Sequence, residues 1–147
     1  FLQLHYEMEG KRLEKILDFI PQEIGLITLL SVSPDGEKTL ERAKKLAESS
    51  VDAILLDTKM NGQTGGTGQT HDWDISGRIR DALYPFPVIL AGGLRKENIL
   101  KAVKQVRPYA VDIATGVEKE GVKSPKKVKS LLREVRSGEA KPIPEIR

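Results

Sequence analysis

The segment VDAILLD, residues 51–57, runs into TKMNGQTGGTGQTH, residues 58–71, and then into Asp72-Trp73. A short aliphatic run bounded by serines on one side and a glycine-rich stretch on the other reads as a buried strand. Its last residue is a carboxylate. Strand alternation puts Ala53, Leu55 and Asp57 on one face and Ile54 and Leu56 on the other. The second face is purely aliphatic, as a face covered by helices must be. The first is mixed and turns polar at the C-terminal end of the strand.

The same design repeats outward in both directions. Strands are expected at FLQLHY (1–6), IGLITLLSV (24–32), FPVILAGG (86–93) and AVDIATG (110–116). A helical pattern follows each strand. The first helix spans about 9–20, with Leu13, Ile16, Leu17 and Ile20 on one face, and Pro21 stops it. The second spans about 37–48 after the turn Ser33-Pro34-Asp35-Gly36. The third starts near Asp72 and runs to Leu83, and the fourth covers about 96–106. The last begins at Pro125 behind an N-cap Ser124. VEKEGVKS and the tail EAKPIPEIR read as irregular.

Strict alternation of strand and helix predicts a parallel sheet with right-handed crossovers. Two architectures satisfy it, an open doubly wound sheet and a (βα)8 TIM barrel. An open sheet has strands that are apolar on both faces. Here parity places His5, Asp57 and Asp112 on one mixed face, which favours the polar upper rim of a barrel. At roughly 30 residues per unit the chain supplies about five of eight units. The chain opens inside a strand, so the expectation is a single partial barrel domain over residues 1–147, strands 4–8, with three N-terminal units missing.

Composition narrows the function. The chain has 147 residues, 39% of them hydrophobic and 31% charged, as an ordinary globular domain does. A net charge of +3 suits small anionic ligands and is too scattered for nucleic acid. Cysteine is absent, which excludes disulfides, thiolate metal sites and a cysteine nucleophile within this chain. No apolar run is long enough to span a membrane, and a cytoplasmic location is expected.

LLDTK, GGTGQTHDW, FPVILAGGLRKENI and RPYAVDIATGVEKEGVKSPKKV, in this order and spacing, resemble the phosphoribosylanthranilate isomerase family of tryptophan biosynthesis. FLQLH resembles that family's fourth strand, and the likeness runs from Leu2 to about Arg136. The family is a (βα)8 barrel. It performs an Amadori rearrangement of N-(5-phosphoribosyl)anthranilate, an aminoaldose, into an aminoketose. A general acid protonates the furanose ring oxygen, the ring opens to a Schiff base, and a general base removes the C2 proton. The resemblance puts the acid at Asp57. It puts the base at a cysteine ending the first strand and an anthranilate-binding arginine early in the chain, and neither has a counterpart here. The chain departs from the family at Gln69 and His71, where Lys and Phe are usual, and at Tyr6, where Gly follows the histidine.

Each site residue also has a plainer reading. Asp57 at a strand end is where barrels keep their chemistry, but a strand cap or a lysine partner looks the same. To serve as an acid it must be buried enough to hold its proton. Lys59 shares its parity, and the loop is expected to break the register there. Gly62, Gly65, Gly66 and Gly68 permit close approach to a ligand and a covering loop that excludes water. An idle surface loop has the same composition. Gly92 and Gly93, with Thr115 and Gly116, follow the seventh and eighth strands of the family. Barrel enzymes bind phosphate there through backbone N–H groups, although helix-entry turns look alike. His5 and Asp112 are expected near the substrate, or as a hydrogen-bonded interior pair. Arg95 reads as a solvated loop residue and His71 as a loop or capping residue.

The expected partners are a small phosphosugar-anthranilate substrate and a second copy of the chain, with no nucleic acid, no membrane, no metal and no cofactor. The competing functions are a catalytically silent phosphosugar-binding paralogue and a partial-barrel assembly fragment whose open sheet edges associate.

Overall fold

The computed structural model describes residues 1–60, 63–64 and 70–138. Gly62, Gly65, Gly66, Gly68 and Gln69, and the tail at 139–147, lie outside the described residues. The elements in chain order are β1 (Leu2–Gln3), α1 (Lys11–Leu17), β2 (Leu26–Val32), α2 (Gly36–Ala47), β3 (Ala53–Met60), β4 (Gln63–Thr64), α3 (Trp73–Leu83), β5 (Val88–Leu90), α4 (Ile99–Val106), β6 (Ala110–Val111), β7 (Glu118–Lys119), β8 (Val122–Lys123) and α5 (Pro125–Gly138).

Five strands pair in parallel in the order β1-β2-β3-β5-β6. This corrects the expected fold class. The described residues form an open half-barrel sheet, not a closed (βα)8 barrel. The reason is geometric: closure of such a barrel takes eight tilted strands, and five leave β1 and β6 as edges. The sheet is nonetheless strongly curled. Gln3 on β1 and Asp112 just beyond β6 stand four strand spacings apart, roughly 19 Å in a flat sheet. Yet Gln3 Nε2 donates to Asp112 Oδ2 at 3.4 Å across the concave face.

The two faces divide as alternation requires. Ile54 and Leu56 are buried with Leu30 and Val32 against Leu13 of α1, Ala43 and Leu46 of α2 and Ile79 of α3. On the concave face Leu55 packs with Leu29 and Ala91, joined by Ile27 and Ile89. A third cluster sets Trp73 and Leu90 against Ile99, Ala102 and Val106 of α4.

Several boundaries differ from the sequence reading. β1 stops at Gln3 because the ladder is taken over by a side chain: Glu7 Oε1 accepts the Ser31 N–H at 2.5 Å. Arg42 holds Glu7 in place, with Nη2 3.2 Å from Oε2. β3 continues through Met60 and folds back on β4, pairing Lys59 with Thr64, so the register does not break at residue 59. α4 begins at Ile99 because Asn98 is used first, accepting from Arg95 N–H at 2.8 Å and donating to Gly93 O at 3.0 Å. The stretch read as an irregular loop contains the β7–β8 hairpin, turned at Glu120 and Gly121 with φ of 54° and 79°, the pair of positive angles a tight hairpin wants. Helix starts were better marked. Asp35 caps α2 by accepting from Lys38 N–H at 3.0 Å, and Asp72 caps α3 by accepting from Asp74 N–H at 2.9 Å.

Candidate functional site

All five parallel strands present their C-terminal ends on one side, and the polar residues gather there. Ser31 pairs with Asp57 in the β2–β3 register. Leu56 pairs with Leu90, and Leu90 with Val111. One residue further along, Asp57, Ala91 and Asp112 fall in the same row.

Asp57 is half-buried, with its Oδ1 accepting the Thr58 N–H at 2.7 Å. Burial pushes its carboxyl above the usual carboxylate range. The Thr58 N–H works against that rise, and the charge of Asp112 adds to it. Two carboxylates facing one space, one of them desolvated, are a means of keeping a proton near neutral pH. Asp112 is tied to Gln3, a residue that parity placed on the inner face but that nothing in the sequence singled out.

Gly92 is pressed against this carboxylate. Its φ is +85°, and a Cβ there would collide with Thr58 Oγ1 and stand 2.8 Å from both Asp57 Oδ1 and Thr58 N. Only glycine lets the β5 loop pass so close to the Asp57 carboxyl. Gly93, also left-handed at φ 61°, opens instead on a neighbouring cavity of about 280 Å³ lined by Gly93, Leu94, Arg95, Lys96, Glu97, Thr115, Gly116, Lys127 and Ser130. A Cβ on Gly116 would strike the carbonyl of Leu94, so the two loops touch backbone to backbone. Lys127 Nζ donates to Glu118 O at 2.5 Å, and Lys123 Nζ to Ala114 O at 2.8 Å.

The structure therefore brings Asp57, Asp112 and Gly92 together and gathers Gly93, Thr115 and Gly116 around one cavity. His5 is exposed, two residues beyond β1, and is not among the cavity-lining residues. Arg95 is exposed as read, but it lines the cavity and pairs with Glu97 at 3.6 Å. Lys127, inside the quoted motif, and Ser130, two residues past it, went unnoticed because both lie on α5 and have no local signature. His71 bridges Thr58 Oγ1 and Ser76 Oγ, at 3.1 and 2.6 Å, where a loop or capping role was expected. Among the described residues no group of His, Cys, Asp and Glu could hold a metal ion, and no helix is long and apolar enough to cross a membrane.

Comparison with known proteins adds a second line of observation. The family model of N-(5'phosphoribosyl)anthranilate (PRA) isomerase matches residues 1–134. The N-(5'-phosphoribosyl)anthranilate isomerase of Methanothrix thermoacetophila is 40% identical over 136 residues, 92% of this chain and 61% of that protein. The crystal structure of phosphoribosyl anthranilate isomerase from Thermotoga maritima is 33% identical with a TM-score of 0.71, covering 92% of this chain and 60% of that one. A phosphoribosyl anthranilate isomerase in complex with reduced 1-(o-carboxyphenylamino)-1-deoxyribulose 5-phosphate is 32% identical with a TM-score of 0.67, covering 92% and 58%. The chain thus spans about three-fifths of the length of the relatives it matches. These alignments also correct the description of the chain as five units of a closed barrel: the likeness to the solved structures extends over nearly all of it, and what it forms is the open sheet.

Proposed function

Because the chain belongs to the N-(5'-phosphoribosyl)anthranilate isomerase family, we propose that it serves the Amadori rearrangement of N-(5-phosphoribosyl)anthranilate to the 1-deoxyribulose 5-phosphate aminoketose in tryptophan biosynthesis. Asp57 is the general acid. Burial, and to a lesser degree the charge of Asp112, raise its pKa and so favour the protonated form, from which it gives its proton to the furanose ring oxygen. The C1–O bond breaks, and the anthranilate nitrogen lone pair forms the C1=N Schiff base. Removal of the C2 proton returns electrons toward nitrogen as an enolamine, which becomes the C2 ketone. Asp112, steadied by Gln3, is assigned to contact with the sugar or the anthranilate amine, and His5 is assigned to substrate binding beside it.

The phosphate is assigned to the cavity at Gly93, Thr115 and Gly116. Backbone N–H groups of two touching loops and the positive charge of Arg95, Lys96 and Lys127 suit a dianion there. Gly92, set against Asp57 rather than in that cavity, is placed to seat the acid beside the sugar. The protein is read as cytoplasmic and independent of metal and cofactor, and the dimeric phosphoribosylanthranilate isomerase of Thermotoga maritima supports a homodimer.

The observation that carries this reading is Asp57: a half-buried carboxyl at the end of a strand, its pKa raised by burial, with Gly92 pressed against it. In the protein as its host makes it, Asp57→Asn should lower turnover by about a hundredfold or more, the scale of a lost general acid. Binding of the reduced product analogue should persist. Near-normal turnover would remove Asp57 from the mechanism.

One observation favours a second reading, a phosphosugar-binding protein without turnover. The family's base is a cysteine, and these 147 residues contain none. The 147-residue chain by itself is accordingly expected to bind phosphate and product with negligible isomerisation. Measurable isomerisation by that chain alone would show that a base other than cysteine operates.

A further inference from the structure

The residue before the glycine-rich stretch and the residue that closes it are hydrogen-bonded to one another. His71 Nδ1 lies 3.1 Å from Thr58 Oγ1, and on the far side of the ring Nε2 lies 2.6 Å from Ser76 Oγ. Ser76 is completely buried in α3. Thr58 directly follows Asp57 and gives its N–H to Asp57 Oδ1 at 2.7 Å. We infer that His71 is a positioning residue of the isomerase site: through Thr58 it fixes the carboxyl of Asp57 against α3. This rests on the reading of Asp57 as the acid.

The geometry supports the role at each link. A neutral imidazole donates from one nitrogen and accepts at the other, so it can bridge two hydroxyls in either tautomer. Burial keeps the ring neutral, lowering its pKa to about 4, and the neighbouring Asp72 opposes this only in part. Thr58 is β-branched and stiff at χ1. Its hydroxyl is confined between the ring and the Cα of Gly92, where a Cβ would collide with it. The peptide that presents its N–H to Asp57 is therefore held from both sides. The ring contact adds to the ladder that seats Thr58 in β3, so its loss loosens the Thr58 side chain and slackens, without breaking, the contact to the acid. His71 does not reach the reacting atoms itself, so its contribution is orientation, and orientation errors on the ångström scale are costly in a bound complex.

The test uses the protein as its host makes it, with His71→Phe and Thr58→Val beside the wild type. Phenylalanine keeps a ring without hydrogen bonds, and valine keeps the branched shape without the hydroxyl. Both should lower kcat roughly tenfold or more, with KM changed less than about threefold. The carboxyl of Asp57, followed by carbon-13 NMR, should titrate higher in both, because the Thr58 N–H is the contact that opposes its rise. His71→Asn, whose amide keeps the Thr58 contact but gives up Ser76, should recover part of the lost kcat. Unchanged kcat and an unchanged Asp57 titration in either folded variant would overturn the inference. Should His71→Phe fail to fold, Thr58→Val decides alone. Nitrogen-15 shifts of His71 in the wild type give a variant-free check: a ring titrating near 6.5 also overturns it. A wild type without turnover would sink the reading of Asp57 as the acid, while the Asp57 titrations would still report whether His71 positions it.

Discussion

Gly92→Ala offers a worked test of how tightly the site is built. Two costs add. Alanine at φ +85° must adopt a left-handed backbone, which costs about 1–2 kcal/mol. Its Cβ would also overlap the Thr58 hydroxyl and stand 2.8 Å from Asp57 Oδ1 and Thr58 N. Thr58 N is backbone in the middle of β3 and cannot swing aside, so overpacking adds about 1–3 kcal/mol. The expected total is about 2–5 kcal/mol. Gly121 isolates the second term, because its φ is nearly the same, +79°, and a Cβ there meets nothing within 4 Å. Gly121→Ala should therefore cost only the backbone part. Urea unfolding of both variants and the wild type reads this directly. With a slope of about 2 kcal/mol per molar, the midpoint should fall by about 1–2.5 M for Gly92→Ala and by less than about 1 M for Gly121→Ala. Equal losses at the two glycines would refute the claim that Gly92 is pressed against the acid, and with it the close seating of the β5 loop.

Other substitutions test separate parts of the structure. Asp57→Asn should unfold at a higher temperature than the wild type at pH 7, because a carboxyl whose folded pKa is raised loses stability as pH rises through that pKa; an unchanged or lower melting temperature would count against the raised pKa. His71 acts in the opposite pH range. Its pKa is lowered from 6.5 to about 4, so the unfolded chain takes up the proton first. Stability due to this group is complete above pH 6.5 and declines as pH falls toward 4, by about 3 kcal/mol in all; parallel stability curves for wild type and His71→Phe between pH 7 and 4.5 would contradict this. Gly116→Ala, whose Cβ would strike the Leu94 carbonyl, should weaken binding of inorganic phosphate at least about tenfold, measured by titration calorimetry, and retained affinity would move the phosphate elsewhere. Leu56→Ala, emptying a fully buried position between sheet and helices, should cost about 2–5 kcal/mol, read from the same urea midpoints.

The parts of the molecule that a sequence can show are those determined by nearest neighbours along the chain. The alternation in VDAILLD assigns Ile54 and Leu56 to the helix side and Leu55 to the concave side, and the clusters in the structure divide that way. Asp35 and Asp72 cap helices with contacts two or three residues away, and such signals need no knowledge of the fold. What stayed hidden depends on residues far apart. β1 ends early because Glu7 reaches Ser31, and nothing in FLQLHY states that. Gln3 matters only because the sheet curls enough to bring it to Asp112. Lys127 and Ser130 join Gly93 only through the docking of α5. The fold class was misassigned because inward-facing polar residues look alike in five units of a (βα)8 barrel and in the curled half-barrel sheet that is found.

The glycines explain how the proposed acid, Asp57, is seated. A carboxyl keeps its proton near neutral pH only if the chain around it excludes water and offers few donors. Asp57 has one backbone donor, the Thr58 N–H, and a second carboxylate, Asp112, among the groups that shift it. Packing alone would demand a bulky neighbour at residue 92, yet a side chain there would displace the acid and the threonine that holds it. The solution is backbone in place of side chain: β5 delivers a bare Cα against the carboxyl and then, one residue later, turns Gly93 toward the cavity where an anion fits. On the proposed reading, acid and phosphate site are thus set by consecutive residues of one loop. A change that moves that loop is expected to alter proton transfer and phosphate affinity together, whereas a change at His71 or Thr58 should alter the first and spare the second.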